Sequence, residues 1–364
     1  MDTVHRLTER FLSYNPEMPQ EEMQVYLSEV YRREGMRAAL ERLFEWELAV
    51  GYITRGKLED NKRYGFHDSA TGVTFRTQIN YARDNYSPAP MTGANVPKLH
   101  CPICYENIGL PGKETLRVFR FPLNGREFFM QLTPFPLFKK HFVLISMEKT
   151  PMIMDRQSVE DLVAFVDDTP GYTGCSNSEI EWAGASVRVH HHYQIFDALS
   201  LPVMEAHTIP EYSLTHRENG ASADVALINF PIAVCRVTTQ SRESFIDISS
   251  RIIDAWKKQV PGKNTCNITV RKFRNAYECH IIFRNPDHRT PSDLVKIKSE
   301  GVGIIEVAGE GIYPVPKGDD AAEKWRLIEE EGLTVIKAII DGNNPVKRSG
   351  YGVLFDTIKA GVHA

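Results

Sequence analysis

The sequence lacks the features that mark several large classes of protein. Its 364 residues contain no apolar run of about 18 residues, and the N-terminal segment Met1–Arg6 is charged and has no apolar signal core. Lysine and arginine number 43 against 47 aspartate and glutamate, which gives a net charge of −4, and no basic stripe dominates any segment. We therefore expect a protein without a membrane span or signal peptide that binds neither nucleic acid nor membrane surfaces.

Cysteine is also sparse. Only Cys101 and Cys104 of the six cysteines lie close together, and the others are scattered along the chain. Such usage is typical of a reducing compartment and predicts a cytoplasmic protein. The spacing Cys101-Pro-Ile-Cys104 allows two thiolates to share one tetrahedral metal ion, although one such pair is only half of a site.

The periodicity of apolar residues predicts an α+β protein with two similar halves. Residues 1–56 are expected to be helical, and 72–77 to form a short strand. The first half is expected to contain strands at 115–121, 127–133 and 141–147, a helix at 156–167 and a strand at 184–194. The second half is expected to contain strands at 225–239, 265–272, 276–284 and 302–308, and a helix at 242–259. A charged helix over 319–341 and a short tail complete the prediction.

The segment 184–194 carries most of the predicted chemistry. It reads Gly-Ala-Ser-Val-Arg-Val-His-His-His-Tyr-Gln. Side chains alternate between the two faces of a strand, so Ser186, Arg188, His190, His192 and Gln194 are expected on one face. That face holds no carboxylate, suits an anion such as phosphate, and supplies an imidazole that can attack phosphorus. A histidine run is also compatible with a surface tract or an opportunistic metal site.

The pattern His190-x-His192-x-Gln194 after a Gly-Ala-Ser turn closely resembles the active-site strand of the galactose-1-phosphate uridylyltransferases, a branch of the histidine-triad superfamily. The resemblance implies that His192 is the nucleophile and that His190 supports it or ligates a structural metal. Triad hydrolases carry a third histidine where this chain has Gln194. An amide can hydrogen-bond to phosphate oxygens but cannot protonate a leaving group, which favours transfer over hydrolysis.

Other segments resemble the second, Firmicutes-type sequence class of this family, in the same order and spacing over about residues 95–315. They are Leu116–Gly125, Phe128–Pro134, His141–Ser146, Thr150–Met152, Phe230–Val234, Tyr277–Asn285 and Gly303–Gly309. The resemblance implies duplicated histidine-triad-like halves with antiparallel sheet and flanking helices. We expect an N-terminal helical segment at 1–70, a catalytic half at 71–215, and a non-catalytic half with a C-terminal helix at 216–364.

The resemblance also implies roles for residues near the histidines. Asn177, Gly184 and Ser186 are expected to hold phosphate. Arg188 stands where the family has an apolar residue. A bulge could turn it outward to solvent, or it could pair with a protein carboxylate, but we expect it to contact an additional anionic group of the substrate. His141, at the start of an apolar strand, is expected to be mainly structural.

The family binds zinc through two cysteines and two histidines, which implies Cys101, Cys104 and His190 as metal ligands here. Lys149 stands where the fourth ligand, a histidine, is expected. A structural zinc completed by His100, Glu148 or water and a reduced cysteine pair without metal both stay open. No organic cofactor is expected.

The segment 287–298 lacks the histidine-rich stretch that the family has before Gly303, so galactose 1-phosphate is not implied as the substrate. The expected activity is nucleotidyl transfer between a nucleotide sugar, with uridine as the base, and a sugar 1-phosphate, in a homodimer. One alternative is a phosphorylase of nucleoside-diphosphate sugars or dinucleotides with phosphate as acceptor. Another is a catalytically silent nucleotide-binding homologue.

Overall fold

A computed structural model of the chain describes residues 3–81, 101–184, 187–218, 220–298 and 301–363. The helices are α1 Thr3–Leu12, α2 Gln20–Glu34, α3 Met36–Ala49, α4 Arg55–Glu59, α5 Arg156–Asp168, α6 Pro202–Glu205, α7 Arg242–Gln259, α8 Ile304–Val307, α9 Ala321–Glu329, α10 Gly332–Gly342 and α11 Tyr351–Val362. The strands are β1 Lys62–Asp68, β2 Val73–Ile79, β3 Phe119–Leu123, β4 Arg126–Leu132, β5 His141–Ser146, β6 Tyr172–Ser176, β7 His192–Asp197, β8 Thr208–Glu218, β9 Ala221–Ile228, β10 Val234–Thr239, β11 Thr265–Phe273, β12 Ala276–Arg284 and β13 Glu310–Tyr313.

The chain divides into two compact units, of which the first draws on Met1–Asn61, Tyr81–Pro151 and Val189–Asp197. Its strands follow the antiparallel order β3-β4-β5-β7. Helix α2 lies beside β3, where two glutamine side chains complete the backbone hydrogen bonding of the strand. Gln20 bonds both the N–H and the carbonyl of Val118, at 3.0 and 2.8 Å, and Gln24 does the same for Arg120 at 2.8 and 2.7 Å. The side-chain amides thus take the place of a neighbouring strand at this edge of the sheet.

The second unit draws on Lys62–Asn80, Met152–Arg188 and Ala198–Ala364. Its main sheet has the antiparallel order β6-β11-β12-β10-β9-β8, and α5 and α7 pack on its strands. A smaller sheet joins β1, β2 and β13, with β13 parallel to β2. Buried apolar side chains such as Ile268, Ile281 and Phe283 fill the core of this unit.

Most elements follow the predicted pattern, but three predictions at the C-terminal end are wrong. The expected strand at 302–308 is the short helix α8, because Glu306 Oε2 accepts a hydrogen bond from the N–H of Gly303 at 2.5 Å and stabilises a helical turn. The expected helix at 319–341 breaks before Gly332, whose missing side chain admits the Phe66 ring. The expected tail contains α11.

Among the described residues, no helix combines the length and the apolar character needed to cross a membrane.

Candidate functional site

Strand β7 in the first unit carries His192 and Gln194. It pairs antiparallel with β5, so that His192 lies opposite Ile145 and Gln194 opposite Val143. Residues two apart in a strand point to the same side, which confirms the shared face predicted for these two side chains. Tyr193, between them, is fully buried and accompanies His191, whose Nε2 lies 2.6 Å from the tyrosine hydroxyl.

The predicted strand from residue 184 to 194 is wrong at its beginning, because β7 starts only at His192. Residues 187–191 still bond to a neighbouring segment, since the N–H of His191 donates to the carbonyl of Thr150 at 2.8 Å. They do not form a regular strand, so the alternation of faces cannot be carried back to His190 and Arg188. Ser186 lies outside the described residues.

The ring of His192 is held in one tautomer. Its Nδ1 lies 2.7 Å from the carbonyl oxygen of His190. A carbonyl only accepts, so Nδ1 must carry the proton and the imidazole lone pair is on Nε2. The side chain is 8% exposed, and burial lowers the pKa of His192 below the ordinary 6.5, which keeps the ring neutral. A neutral imidazole with its lone pair on Nε2 is the nucleophilic form.

The ring of His190 has the opposite tautomer. Its Nε2 donates to the carbonyl of Ser146 at 2.7 Å, so in the neutral ring the lone pair is on Nδ1. This atom lies 3.2 Å from the sulfur of Cys101 and 3.3 Å from that of Cys104. The three candidate ligand atoms all lie within 4.8 Å of one another. The structure therefore brings together Cys101, Cys104 and His190, the three residues that were predicted as metal ligands.

Cys101 and Cys104 disfavour a second negative charge unless a cation is present. Burial raises the pKa of Cys104 to about 12, and the neighbouring Cys101 sulfur adds to the effect. Burial is the largest single influence on Cys101 and acts to raise its pKa, but the polar contacts with His190, with Cys104 and with the backbone of Ile103 together outweigh it, and the net shift is downward. Two thiolates this close repel each other unless a positive ion lies between them. The donor set Cys-Cys-His fits zinc.

Lys149 does not contribute a ligand to this group. Its ammonium lies 2.8 Å from a carboxylate oxygen of Glu106, and both side chains are largely exposed. A lysine held by a carboxylate stays protonated, and a protonated amine has no lone pair for a metal. Of the proposed substitutes, His100 lies outside the described residues.

His141 has the structural surroundings that were expected. It is buried, its ring stacks on Phe196 with centroids 4.4 Å apart, and its Nδ1 accepts from the N–H of Leu137 at 3.3 Å. The contacts fix the turn that leads into β5.

The second unit carries Asn177 and Gly184. The carboxamide oxygen of Asn177 accepts from the N–H of Ile304 at 2.9 Å, at the start of α8. This bond orients the carboxamide, and within the described residues no acceptor is assigned to its nitrogen. An amide nitrogen so placed can donate to a phosphate oxygen.

Gly184 is needed for two separate reasons. Its φ of +119° lies in a region that favours glycine, and a Cβ at this position would lie 3.0 Å from Asn177 Oδ1 and 3.1 Å from Gly303 Cα. The turn and the residues before α8 therefore pack backbone against backbone.

Replacing Gly184 with alanine should destabilise the chain by about 1–3 kcal/mol through strain and crowding together. Gly262→Ala is the matched control, because Gly262 also has a positive φ, +77°, but would place its Cβ in open space. Chemical denaturation of both variants measures the difference. Equal losses of unfolding free energy would show that crowding at Gly184 contributes nothing.

Arg188 has the outward arrangement, in which its guanidinium faces a protein carboxylate. The side chain is 45% exposed and its guanidinium lies 3.4 Å from a carboxylate oxygen of Glu181. The physical reason is the late start of β7, which leaves Arg188 in an irregular segment. Substrate binding by Arg188 stays a prediction.

Because the ion pair between Arg188 and Glu181 is exposed, we expect Arg188→Leu to change the free energy of unfolding by less than about 1 kcal/mol. Steady-state turnover tests the substrate contact separately: a contact with an anionic substrate group predicts a loss of about two orders of magnitude. Turnover within threefold of the parent protein would assign Arg188 to the surface pair alone.

Two features of the site were not predicted from the sequence. The first is the pair of carbonyl groups that orient His190 and His192. The second is the buried Arg284 beneath the Gly184 turn. Arg284 donates to the carbonyls of Val302 and Trp182 at 2.9 and 3.3 Å. A sequence carries no signal for carbonyl orientation. The Arg284-Asn285 pair at the end of a predicted strand was the only available hint.

Comparison with known proteins shows what the chain is similar to. Residues 45–197 match a protein family described as a domain of unknown function (DUF4922). Over 86% of its length the chain is 30% identical to galactose-1-phosphate uridylyltransferase of Bifidobacterium longum. The chain is similar to the galactose-1-phosphate uridylyltransferases. The enzymes of this name from Streptococcus pneumoniae and Clostridium acetobutylicum are 25% and 26% identical over 71% and 79% of this chain.

The chain is shorter than these uridylyltransferases, and spans 62% of the Bifidobacterium protein, 58% of the Streptococcus protein and 63% of the Clostridium protein. Among solved structures, yeast Ap4A phosphorylase in complex with AMP matches 84% of this chain and 97% of its own, with a TM-score of 0.50 and 13% identity. The same enzyme without the complex gives 0.51. This likeness concerns the fold alone, and it agrees with the α+β fold of antiparallel sheet and flanking helices.

Proposed function

We propose that the chain is a nucleotidyltransferase of the UDP-hexose:hexose-1-phosphate uridylyltransferase type, which works by a ping-pong route through a nucleotidyl–His192 intermediate. The observation that carries the proposal is the hydrogen bond from His192 Nδ1 to the carbonyl of His190, 2.7 Å long, in a buried and neutral ring. The names of the relatives supply the reaction class.

In the first step, His192 Nε2 attacks the α-phosphorus of a nucleotide sugar. The N–P bond forms while the bond from that phosphorus to the bridging oxygen breaks, and the sugar leaves as its 1-phosphate with the electron pair. The imidazole becomes positively charged, and the His190 carbonyl that accepts from Nδ1–H stabilises this charge. In the second step, an oxygen of another phosphate attacks the same phosphorus and restores the neutral ring.

The side chains proposed around the phosphate donate hydrogen bonds to it but do not protonate the leaving group. Gln194, on the face of His192, is proposed to hold the non-bridging oxygens through its amide nitrogen. Asn177, Gly184, Ser186 and Arg188 are the proposed substrate contacts, with His190 as the residue that orients the nucleophile. A sugar 1-phosphate leaves without protonation because it is already a stable anion, so a glutamine at 194 suffices for transfer.

Zinc is proposed as a structural ion held by Cys101, Cys104 and His190. When bound, it would supply a cross-link between the cysteine loop and the segment that leads into β7. No organic cofactor is required by the proposed chemistry, because the histidine carries the nucleotidyl group.

The proposed partners are a UDP-sugar and a sugar 1-phosphate, and the proposed assembly is a cytoplasmic homodimer acting in carbohydrate metabolism, with galactose metabolism as the family assignment. We also propose the division into an N-terminal helical segment at 1–70, a catalytic half at 71–215 and a non-catalytic half at 216–364.

A second candidate is a phosphorylase of nucleoside-diphosphate sugars or dinucleotides, in which inorganic phosphate is the acceptor. It is favoured by the segment 287–298, which lacks the histidine-rich stretch of the resembled family. The chemistry at His192 is the same in both candidates. A catalytically silent nucleotide-binding homologue would bind nucleotide but would form no covalent bond.

Labelling with UDP-glucose tests the proposal. Protein incubated with nucleotide labelled at the α-phosphorus should retain acid-labile label after denaturing electrophoresis, whereas label at the β-phosphorus should leave with the sugar. A chase with sugar 1-phosphates or with inorganic phosphate then separates transferase from phosphorylase. Absence of covalent label with bound nucleotide would establish the silent homologue.

A further inference from the structure

The second unit contains a cavity of about 210 Å³ next to the Gly184 turn. Trp182, Arg289, Lys298, Val302 and Asn343 contribute to its lining. At about 30 Å³ for each water molecule, the cavity has room for about seven waters or for a small ligand group of similar size. Arg289 belongs to the segment 287–298, which departs from the resembled family and has no role in the chemistry proposed for His192.

Cations dominate the walls of this cavity. The guanidinium of Arg289 lies over the Trp182 ring, 4.7 Å from its centroid, and its Nε donates to the carbonyl of Pro286 at 2.8 Å. Within the described ranges no carboxylate pairs with Arg289. Asp287 is close in sequence, but its carboxylate binds Lys263 at 2.6 Å. The stacking on Trp182 restricts the orientation of the Arg289 guanidinium, and the side chain is exposed.

A second arginine lies behind the lining. Arg284 is 1% exposed and bonds only to neutral oxygens among the described residues, three of which belong to lining residues. They are the carbonyls of Val302 and Trp182 and Oδ1 of Asn343, with Asn267 Oδ1 as the fourth acceptor. Its Nε has no acceptor in the described part of the chain. Burial lowers the pKa of Arg284 to about 10, which leaves it charged at neutral pH.

The remaining charges near the cavity cancel each other. Lys298 is 5% exposed and lies 2.5 Å from Glu306 Oε1, while the other oxygen of Glu306 accepts from Gly303. Among the described residues, neither Arg284 nor Arg289 forms an ion pair with a carboxylate, although Glu306 acts electrostatically on Arg284 and Asp287 on Arg289. Burial of the Arg284 guanidinium is costly, Glu306 offsets part of this cost, and an anion in the cavity would offset more of it.

We propose that this cavity is a binding subsite for the phosphate group of a small molecule, with Arg289 as its main charged contact and the field of Arg284 behind it. The guanidinium of Arg289 can donate two hydrogen bonds to a tetrahedral oxyanion, and the positive charge of Arg284 behind the lining adds electrostatic attraction. The phosphate comes either as inorganic phosphate or as part of a phosphorylated sugar. The second source rests on the proposed function, because it makes the subsite part of acceptor selection.

The subsite is tested with inorganic phosphate as the probe, by isothermal titration calorimetry and by Trp182 fluorescence. Arg289→Gln should weaken phosphate binding about tenfold or more, since it removes a charge-assisted contact. Arg274→Gln is the matched control, because Arg274 is also an exposed arginine over an aromatic ring, 5.0 Å from the centroid of Phe273. Arg274→Gln should bind as the parent protein does, and Trp182→Phe should abolish the fluorescence change while calorimetric binding remains.

Titrations with glucose 1-phosphate and glucose 1,6-bisphosphate distinguish free phosphate from a phosphate carried by a sugar. A sugar-borne phosphate predicts tighter binding of the bisphosphate, with the gain lost in Arg289→Gln. Equal affinity of the parent protein and Arg289→Gln for every probe, or an absence of phosphate binding, would overturn the subsite. Covalent labelling by UDP-glucose is measured in parallel: if the parent protein takes up no label but its phosphate binding depends on Arg289, the proposed function fails and the subsite stands.

Discussion

Replacing His192 with alanine should abolish covalent labelling by UDP-glucose and reduce transfer by at least about four orders of magnitude, the scale on which loss of a covalent nucleophile acts. The reason is geometric. The bond from Nδ1–H to the His190 carbonyl places the lone pair on Nε2, and burial keeps the ring neutral. Denaturing electrophoresis measures the label, and steady-state kinetics with a sugar 1-phosphate acceptor measure the transfer.

His191→Ala is the control for this substitution. His191 lies next in the chain and is equally buried, but its ring bonds to the hydroxyl of Tyr193. It should retain most of the labelling and lose only the stability that this bond provides, about 1 kcal/mol. If His191→Ala proves more damaging than His192→Ala, with both proteins folded by circular dichroism, the nucleophile has been assigned to the wrong residue.

Loss of the metal group should have the largest effect on stability. Purified protein is expected to contain about one zinc per chain, and Cys101→Ser should lose it. Because structural zinc contributes several kcal/mol to folding, and each kcal/mol moves the melting temperature by about 2–4 °C in a domain of 150–250 residues, we expect a decrease on the order of 10 °C. Elemental analysis and differential scanning calorimetry measure both quantities.

Cys175→Ser separates loss of metal from loss of a buried thiol. Cys175 is fully buried but does not belong to the metal group, so its substitution should lower stability without changing the zinc content. A parent protein that contains no zinc, together with a Cys101→Ser variant that melts at the parent temperature, would show that Cys101 and Cys104 are a reduced thiol pair.

The parts of the fold that could be predicted are those with local signals. The helix expected at 242–259 is α7 at those bounds, because Ser241 caps its first turn by accepting from the N–H of Ser244 at 3.2 Å. Asp155 caps α5 in the same way. The apolar run near residue 304 had no such clear signal, since a short apolar stretch fits a strand and a buried helical turn equally well.

The sequence pattern was enough to name candidate residues for the site, but not to predict how their side chains are arranged. The pattern of residues 190–194 identified the pair His192 and Gln194, whose shared face follows from strand geometry alone. The same rule fails for Arg188, because it assumes a strand that begins before His192. The Ser146 carbonyl and the two sulfurs determine where the His190 ring lies, and these partners are distant in sequence.

The glutamines on α2 have a consequence for solubility. An uncovered strand edge presents unpaired N–H and carbonyl groups to which a strand of another molecule can add, and this is a common route to aggregation. Gln20 and Gln24 occupy those groups on Val118 and Arg120 with side-chain amides, which imitate a backbone partner but cannot continue a sheet. The sheet of the first unit is thereby closed to growth at these positions, and the chain gains protection against misassembly at little structural cost.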